Sequence, residues 1–263
     1  QELAEVRRAH PEYLGERHKG ENTLPILIKF IDAKKDLSVQ VHPTDAYAQE
    51  HENGQLGKTE MWYVLDAGRE ARLVYGLKQN CTKAEMRRAI ADGTVMKYLQ
   101  KVPIHKDDLF FIQAGTVHAI GAGALVAEIQ ENSNLTYRLY DYDRVGKDGK
   151  KRELHIDKAI DVSTLTPSDT ADKQSAPEQI PGGTKTALAS CEYFTTEKYV
   201  VDGTVEIDVD DSSFASLVVT EGAGTVTGPE NAVEFKAADS LFVPAGTGKV
   251  TVSGKCTIVK TTV

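Results

Sequence analysis

Alternating apolar and polar positions dominate the chain and predict many short β-strands separated by polar turns. Residues 24–31 and 37–42 are β-rich runs on either side of a polar turn, a pattern typical of a hairpin. Residues 60–65, 71–75 and 108–120 continue the pattern, and an Ala-Gly-Thr turn interrupts the last run. This alternation, with a period of two residues, predicts a mainly β fold.

Helical spacing of apolar residues is confined to short segments. The strongest start signal is the pair Thr82 and Glu85, whose spacing is that of a capping box. Gly93 divides the apolar pattern that follows into two short helices. The predicted helices are one within residues 1–18, one over residues 44–52 and two over residues 82–102.

Composition changes after residue 162 and divides the chain. Residues 163–186 are rich in Ser, Thr, Pro and Gly, which predicts a linker or a long exposed loop. Beyond them, short strands with turn signals roughly every ten residues are typical of a β-sandwich or barrel. We therefore predict a first domain over residues 1–162, with a helical insert at about 82–102, and a second β domain over residues 187–263.

A short internal similarity links the two predicted domains. Residues 108–116 resemble residues 239–247 and have the same order of turn residues, Ala-Gly-Thr. In that register Lys249 occupies the position of His118, and no histidine follows His155. We therefore predict two related β units, of which only the first could hold a histidine-ligated metal. The degenerate second unit is expected to serve as scaffold or as an oligomer contact.

Charge and composition restrict the classes of partner. The formal net charge is −8, and this acidic excess argues against nucleic-acid binding, which concentrates Lys and Arg. No apolar run approaches the roughly 20 residues that a membrane helix needs. Three cysteines, far apart in the sequence, suit reduced thiols better than a disulfide framework. We expect a cytoplasmic protein with no nucleic-acid or membrane partner.

Polar residues on the predicted strands form a candidate metal site. Gln40 and His42 are two residues apart on a strand, so their side chains project from the same face. Glu60 begins another strand, and His118 follows a tight turn. Two imidazoles, one carboxylate and one amide suit zinc with an open coordination position. A lone histidine in a strand is, however, more often a hydrogen-bonded core or surface residue, so spacing alone leaves both interpretations open.

Four motifs follow one another along the first part of the chain. They are residues 37–43 (Leu-Ser-Val-Gln-Val-His-Pro), 57–63 (Gly-Lys-Thr-Glu-Met-Trp-Tyr), 114–121 (Ala-Gly-Thr-Val-His-Ala-Ile-Gly) and 131–142 (Glu-Asn-Ser-Asn-Leu-Thr-Tyr-Arg-Leu-Tyr-Asp-Tyr). In this order they resemble the motifs of a known family, the type I mannose-6-phosphate isomerases of the cupin superfamily, and the resemblance is close over roughly residues 24–162.

The resemblance implies a fold and a set of site residues. The fold would be mainly β, with two cupin-like (jelly-roll) β-barrel units and a few short helices. Arg138 would be catalytic, Lys58 would bind the substrate phosphate or transfer a proton, and Ser38 would lie beside the phosphate. The chain would hold one zinc ion, Zn²⁺. The zinc ligands implied by the resemblance are Gln40, His42, Glu60 and His118.

By the same resemblance the chain is expected to be an aldose–ketose isomerase. It would interconvert mannose 6-phosphate and fructose 6-phosphate through a zinc-stabilised cis-enediolate, with this small phosphosugar as its partner. Lys58 and Arg138 would be the fixed cations that bind the phosphate. The residues leave open which group takes the proton, and they do not predict the oligomeric state.

Two departures from the family pattern concern activity. Some members have a histidine just before the lysine, where this chain has Gly57, so no proton-transfer role is carried over to that position. Members also usually carry an N-terminal stretch with a Trp-Gly-Gly-like strand, and this sequence begins after it. An edge strand of the sheet could then lack its partner.

Three other hypotheses fit parts of the pattern. The chain could be a non-catalytic cupin that binds a metal or a sugar phosphate, because fold alone does not determine function. Lys58 and Arg138 beside the ligand set favour an enzyme instead. A cupin oxygenase with iron is disfavoured by the Gln40 ligand and the phosphate-type cations. A purely structural double β-barrel would require that the N-terminal strand be essential for activity.

Overall fold

Two compact units make up the computed structural model of the protein, which describes residues 3–21, 23–169 and 175–263. The central unit is Leu27–Asp172, and the terminal unit combines Gln1–Ile26 with Lys173–Val263. With 45% of residues in strands and 15% in helices, the predicted mainly β class is confirmed. No helix in the described ranges is both long and apolar enough to cross a membrane.

The described residues of the central unit form nine strands and three α-helices. The helices are α2 (Asp45–His51), α3 (Lys83–Ala91) and α4 (Ile156–Val162). The strands are β1 (Ile26–Ala33), β2 (Val39–Val41), β3 (Glu60–Ala67), β4 (Arg72–Leu77), β5 (Leu99–Pro103), β6 (Leu109–Ile112), β7 (His118–Ile120), β8 (Ala124–Glu131) and β9 (Tyr137–Tyr140).

Two sheets of the central unit pack face to face. One has the strand order β1-β8-β3-β6 and the other β5-β4-β7-β2-β9. A buried cluster that includes Trp62 and Phe110 from the first sheet and Leu73 and Ile120 from the second fills the space between them. The other face of the second sheet packs against α3 and α4. Side chains at the strand ends of both sheets can therefore meet inside this sandwich.

The helical insert follows its sequence signals only at its start. Thr82 caps α3, and the predicted capping box with Glu85 is present. The second predicted helix is instead a 3-10 helix, Val95–Lys97, followed directly by β5. The helix prediction over the end of this segment was wrong because Leu99–Pro103 pairs with β4, a partner more than 20 residues away in the sequence.

The terminal unit joins the first residues of the chain to its last strands. It contains α1 (Leu3–Ala9), a 3-10 helix (Pro11–Leu14) and a seven-stranded sheet. Backbone hydrogen bonds from Glu16 to Asp211 and from Ala245 to Tyr13, both 3.0 Å, hold the N-terminal segment against the strand ends. The strands are β10 (Glu178–Ile180), β11 (Gly183–Ser190), β12 (Thr195–Val209), β13 (Ala215–Thr227), β14 (Ala232–Lys236), β15 (Ser240–Val243) and β16 (Gly248–Thr262).

The observed units differ from the boundaries predicted at residues 162 and 187. The N-terminal segment belongs to the terminal unit, because its hydrogen bonds are made to residues about 200 positions away, which local patterns do not reveal. Strands β10 and β11 occupy part of the predicted linker 163–186, because β11 pairs along its length with β12. Residues 170–174 of that predicted linker lie outside the described residues.

The predicted internal repeat has the same local backbone in both units. Asp107 and Ala238 both have φ of 72°, and each stands just before one copy of the repeat. A four-residue strand follows in each case, β6 or β15, and then a glycine of positive φ, Gly115 or Gly246. Neither unit shows a closed barrel in the pairings of the described residues, so the two-barrel architecture stays a prediction.

Candidate metal centre and active site

Strand pairing brings three potential ligands together between the sheets. His118 begins β7 and pairs directly with Gln40 of β2, and His42 follows β2. Glu60 begins β3 in the facing sheet. One ligand atom from each of His42, Glu60 and His118 lies within 4.8 Å of the other two, and all three side chains are buried. The residues that the sequence selected for a metal therefore meet in space.

Hydrogen bonds to backbone carbonyls fix which nitrogen each histidine offers. Nδ1 of His42 lies 2.9 Å from the carbonyl oxygen of Leu135, and Nδ1 of His118 lies 2.8 Å from that of Thr116. A carbonyl can only accept, so each Nδ1 carries the proton and each Nε2 keeps a free lone pair. Such carbonyl partners orient histidine ligands in metal sites.

The electrostatics of the cluster suit a cation. Burial lowers the pKa of His118 to about 4, and burial with the charge of His118 holds the pKa of His42 well below its usual range. Both imidazoles are therefore neutral near pH 7. Burial, with the charge of Glu128, raises the pKa of Glu60 to about 7. A buried carboxylate beside two neutral imidazoles is the donor set that zinc prefers.

Three buried polar atoms of the cluster have no hydrogen-bond partner in the described part of the chain. They are Nε2 of His42 and both carboxylate oxygens of Glu60, of which Oε2 has the ion pair with Lys58 as its compensation. Unsatisfied buried polar atoms each cost roughly 1–3 kcal/mol, so they persist where function requires them. The imidazole of His42 and the carboxylate of Glu60 belong to the cluster of candidate ligands, and a bound metal ion would satisfy them.

Gln40, the fourth predicted ligand, lies beside the cluster. Its Nε2 is 3.2 Å from Nε2 of His118, where it donates to the free lone pair of the imidazole. Exchange of the amide nitrogen and oxygen by rotation would place Oε1 at the same position. An amide oxygen there has the reach of a ligand, and the amide nitrogen does not bind metal.

The two predicted cations lie in different parts of the site. Lys58 is buried, with Nζ 2.8 Å from Oε2 of Glu60, so it belongs to the metal end. Arg138 pairs with Gln40 across β9 and β2, and its Nε donates to Oγ of Ser38 at 3.2 Å. Ser38 and Arg138 thus form a second end of the site, separate from Lys58.

One protein of Bacillus subtilis is similar enough to this chain to establish its family. Mannose-6-phosphate isomerase ManA of Bacillus subtilis (strain 168) is 40% identical over 252 residues, which cover 96% of this chain and 78% of that protein. The chain belongs to the type I phosphomannose isomerase family. The family descriptions "Phosphomannose isomerase type I, catalytic domain" and "Mannose-6-phosphate isomerase, cupin domain" match residues 2–91 and 184–263. The resemblance found in the sequence is therefore confirmed.

Further relatives within the phosphomannose isomerase family agree with this assignment. A mannose-6-phosphate isomerase of Streptococcus mutans is 38% identical over 242 residues, which cover 92% of this chain and 74% of that protein. The crystal structure of the mannose 6-phosphate isomerase from Bacillus subtilis superposes with a TM-score of 0.90 at 36% identity, covering 98% of this chain and 81% of that one. The similarity thus extends through both units of the chain.

Three polar residues at the site were missed by sequence reasoning. Nζ of Lys29 on β1 donates to Oε1 of Glu128 at 2.9 Å and also bonds Gln130. Glu128 accepts from the indole of Trp62 at 3.1 Å and lies 3.7 Å from Nζ of Lys58. The available sequence signal was the pair Glu128 and Gln130, two polar residues two positions apart in strand β8, since that spacing places their side chains on one face.

This network balances charge beside the ligands. Burial acts to raise the pKa of Glu128, but the charges of Lys58 and Lys29 outweigh it, so the pKa is lowered overall. Glu128 therefore remains ionised and anchors both lysines. Lys58 lies between the carboxylates of Glu60 and Glu128, next to the cluster of candidate metal ligands.

The departure from the family at Gly57 has a steric cause. A Cβ at Gly57 would lie 2.4 Å from the carbonyl carbon of Thr44, which no side chain tolerates. The Gly57 amide donates to Asp45 at 2.6 Å, and the Thr59 amide donates to Glu131 at 2.5 Å. Close backbone approach therefore requires glycine here, and the two carboxyl groups hold the segment that carries Lys58.

Glu131 makes stability depend on pH. Burial raises its pKa to about 7, the nearby carboxylate of Asp45 adds to the shift, and the two side chains share a hydrogen bond. Because the folded pKa exceeds the unfolded one, this contribution to stability is complete below about pH 4.5 and is lost as the pH rises through about 7. We expect Glu131→Gln, whose amide imitates the protonated acid, to raise the free energy of unfolding at pH 8 by about 1–3 kcal/mol.

Urea denaturation of wild type and Glu131→Gln at pH 5 and pH 8 measures this effect. The stability difference should be small at pH 5 and favour the variant at pH 8. Glu70→Gln, at an exposed carboxyl, is the matched control and should change neither value. Parallel pH dependence of wild type and Glu131→Gln would contradict the assignment.

Proposed function

We propose that the chain is a mannose-6-phosphate isomerase that interconverts mannose 6-phosphate and fructose 6-phosphate with one zinc ion per chain. The observation that carries this proposal is the buried cluster of His42, Glu60 and His118, whose histidine tautomers are set for ligation. Its family relatives bear the name of this enzyme. The substrate would be a small phosphosugar, and the cytoplasm its place of action.

The residues present fit zinc with an open position. We assign His42, Glu60 and His118 as ligands, with Gln40 as the fourth after rotation of its amide. When bound, zinc would supply positive charge beside O1 and O2 of the sugar and so favour a cis-enediolate. The sandwich excludes bulk water from these side chains, which strengthens every charge interaction at the site.

The chain's own residues divide the remaining tasks between two ends of the site. Isomerisation moves a proton between C1 and C2, and Lys58, held by Glu60 and Glu128, is the cation closest to the ligands. Lys58 is the candidate for proton transfer there. Arg138 and Ser38 lie on the far side of Gln40, where they would bind the phosphate and orient the sugar.

A coupled assay with mannose 6-phosphate tests the proposal. The purified protein is assayed as isolated, after chelation and after return of zinc, and metal content is measured on the same samples. We expect chelation to lower the rate at least about tenfold and zinc to restore it, because the metal contributes several kcal/mol to catalysis. Fructose 6-phosphate must be the product.

Other outcomes identify the alternative hypotheses. Stoichiometric zinc without turnover would indicate a non-catalytic cupin that binds a metal or a sugar phosphate. Restoration by iron alone, together with oxygen uptake, would indicate a cupin oxygenase. Full activity in metal-free protein would exclude zinc dependence while leaving the isomerase activity intact.

A further inference from the structure

A group of arginines surrounds one buried carboxylate next to Arg138. Asp141 follows β9, and its side chain is only 6% exposed. Arg152 donates to it through two nitrogens, Nε to Oδ2 at 2.8 Å and Nη2 to Oδ1 at 2.5 Å. Arg144 also donates to Asp141, through Nε and Nη2. A paired contact of this kind fixes the plane of the Arg152 guanidinium.

The loop that presents these arginines has an unusual backbone. Tyr142 and Asp143, consecutive residues after Asp141, have φ of 55° and 54°, in the left-handed region that non-glycine residues rarely adopt. Arg144 then folds back over the Tyr142 ring, with Cζ 5.2 Å from its centroid. Strain of this kind persists where surrounding contacts hold it, and it concentrates at functional sites.

Arg152 and Arg144 differ in whether all their guanidinium nitrogens already have hydrogen-bond partners. Arg144 uses Nε and Nη2 on Asp141 and donates Nη1 to the carbonyl oxygen of Asp36, so its guanidinium is fully engaged. Among the described residues, Nη1 of Arg152 has no partner, and the Arg152 side chain is half exposed. Arg138 donates Nε to Ser38 and Nη1 to the carbonyl of Glu153, which leaves its Nη2 without a partner there.

The net charge of this group suits a phosphate. Asp141 contacts Arg144 and Arg152, and together with Arg138 these four side chains carry two net positive charges in a chain whose total is −8. Nη1 of Arg138 donates at 2.9 Å to the carbonyl oxygen of Glu153, the residue that follows Arg152, so the two arginines are neighbours in space. Burial, followed by the charge of Arg152, lowers the pKa of Arg138, and Asp141 and the exposed Glu153 act in the opposite direction. A phosphate monoester near neutral pH carries about −1.5 to −2 charge and three acceptor oxygens.

The position of the group matches the length of the substrate. Gln40 pairs with His118 on one side and with Arg138 on the other, so these three side chains lie on one face of the sheet. Two strand spacings, about 10 Å, separate the backbones of Arg138 and His118. A six-carbon sugar held at C1 and C2 by the metal end would extend its phosphate toward the arginines.

We propose that Arg152 is a specificity-determining residue that binds the phosphate of the substrate together with Arg138 and Ser38, and that Asp141 is the residue that positions it. The proposal rests on the proposed isomerase function. Within it, the guanidinium of Arg152 would allow the site to distinguish phosphorylated sugars from free sugars. Arg144 secures the loop to Asp36 and does not contact the phosphate.

Steady-state kinetics of Arg152→Ala tests this role. We expect KM for mannose 6-phosphate to rise about tenfold to a hundredfold, the equivalent of one lost charge-assisted hydrogen bond, with kcat nearly unchanged. Inorganic phosphate, used as a competitive inhibitor, should weaken in parallel. Asp141→Asn should show the same split, and Arg152→Lys, which keeps the charge without the fork to Asp141, should recover part of the affinity.

Controls keep the test decisive. Lys151→Ala removes a neighbouring cation of the same loop that pairs with Asp143, and its KM should equal that of wild type. Zinc content of Arg152→Ala should match wild type, and circular dichroism should show that the variant retains its strands, although loss of a partner of the buried Asp141 lowers its thermal midpoint. An unchanged KM and unchanged phosphate inhibition in Arg152→Ala would overturn the proposal.

Direct binding of inorganic phosphate, measured by calorimetry on the zinc-loaded protein, separates this proposal from the proposed function. Wild type could lack isomerase activity and still bind phosphate, with Arg152→Ala binding it at least about tenfold more weakly. That result would support the role of Arg152 in anion binding and contradict only the isomerase function. If both proteins bind phosphate equally, the role of Arg152 fails whatever the activity.

Discussion

His118→Ala is expected to abolish metal binding and isomerase activity together, with kcat/KM lower by about 10³-fold or more. His118 is fully buried, and its Nε2 lies 3.4 Å from Oε1 of Glu60 and faces the other ligands. Alanine removes one of two imidazoles and leaves only His42 and Glu60 of the clustered ligands. The metal should therefore be lost, and with it the stabilisation of charge on the sugar oxygens.

Metal analysis and kinetics on the same preparation measure this result. His105→Ala removes an exposed histidine of the same unit and should keep both the metal and the rate. Circular dichroism should show that His118→Ala retains its strands, so that loss of metal is separated from loss of fold. Stoichiometric metal with undiminished turnover in His118→Ala would be incompatible with the proposed ligand set.

Arg138→Ala is expected to keep the metal and lose turnover, with kcat/KM lower by about 10²–10³-fold. Arg138 contacts none of the three clustered ligands, so the metal end should remain intact. Its guanidinium bonds Ser38 and Glu153, and its removal takes away a fixed cation that would orient the sugar phosphate. The effect should exceed that of Arg152→Ala, because Arg138 lies nearer the metal end.

The matched control for this variant is Arg88→Ala, an exposed arginine on α3. It should leave metal content, KM and kcat at their wild-type values. Arg138→Lys retains the charge but not the planar fork, so it should recover only part of the lost rate. Loss of zinc in Arg138→Ala would refute the division between a metal end and a phosphate end.

Local sequence signals predicted most strands and the chemistry of the metal cluster. The period of two around Gln40 and His42 placed both side chains on one face, and the structure has them there. Thr82 and Glu85 predicted the start of α3, because a capping box depends on residues only three apart. The motifs also supplied Glu60 and His118, although spacing alone did not distinguish ligands from ordinary core residues.

Local sequence patterns did not predict the structure of segments whose conformation depends on partners distant in the sequence. Leu99–Pro103 had a helical apolar pattern, yet it forms β5 because β4 offers it a pairing edge. Strand β11 lies in a segment whose composition predicted a linker, because β12 pairs with it. Lys29 and Glu128, which are 99 residues apart, form an ion pair that no local sequence pattern predicts.

The sequence by itself determined the mainly β class, the capping of α3, the family and the types of side chain available to a metal. These depend on residue identity and on backbone preferences over a few neighbouring residues. Only the tertiary structure decided that Glu60 faces the two histidines across the sandwich, that Lys58 contacts Glu60 whereas Arg138 contacts Ser38, and that Asp141 pairs with two arginines. The physical reason is that strand register and sheet packing join residues tens of positions apart, and the burial that sets their charges exists only once those contacts form.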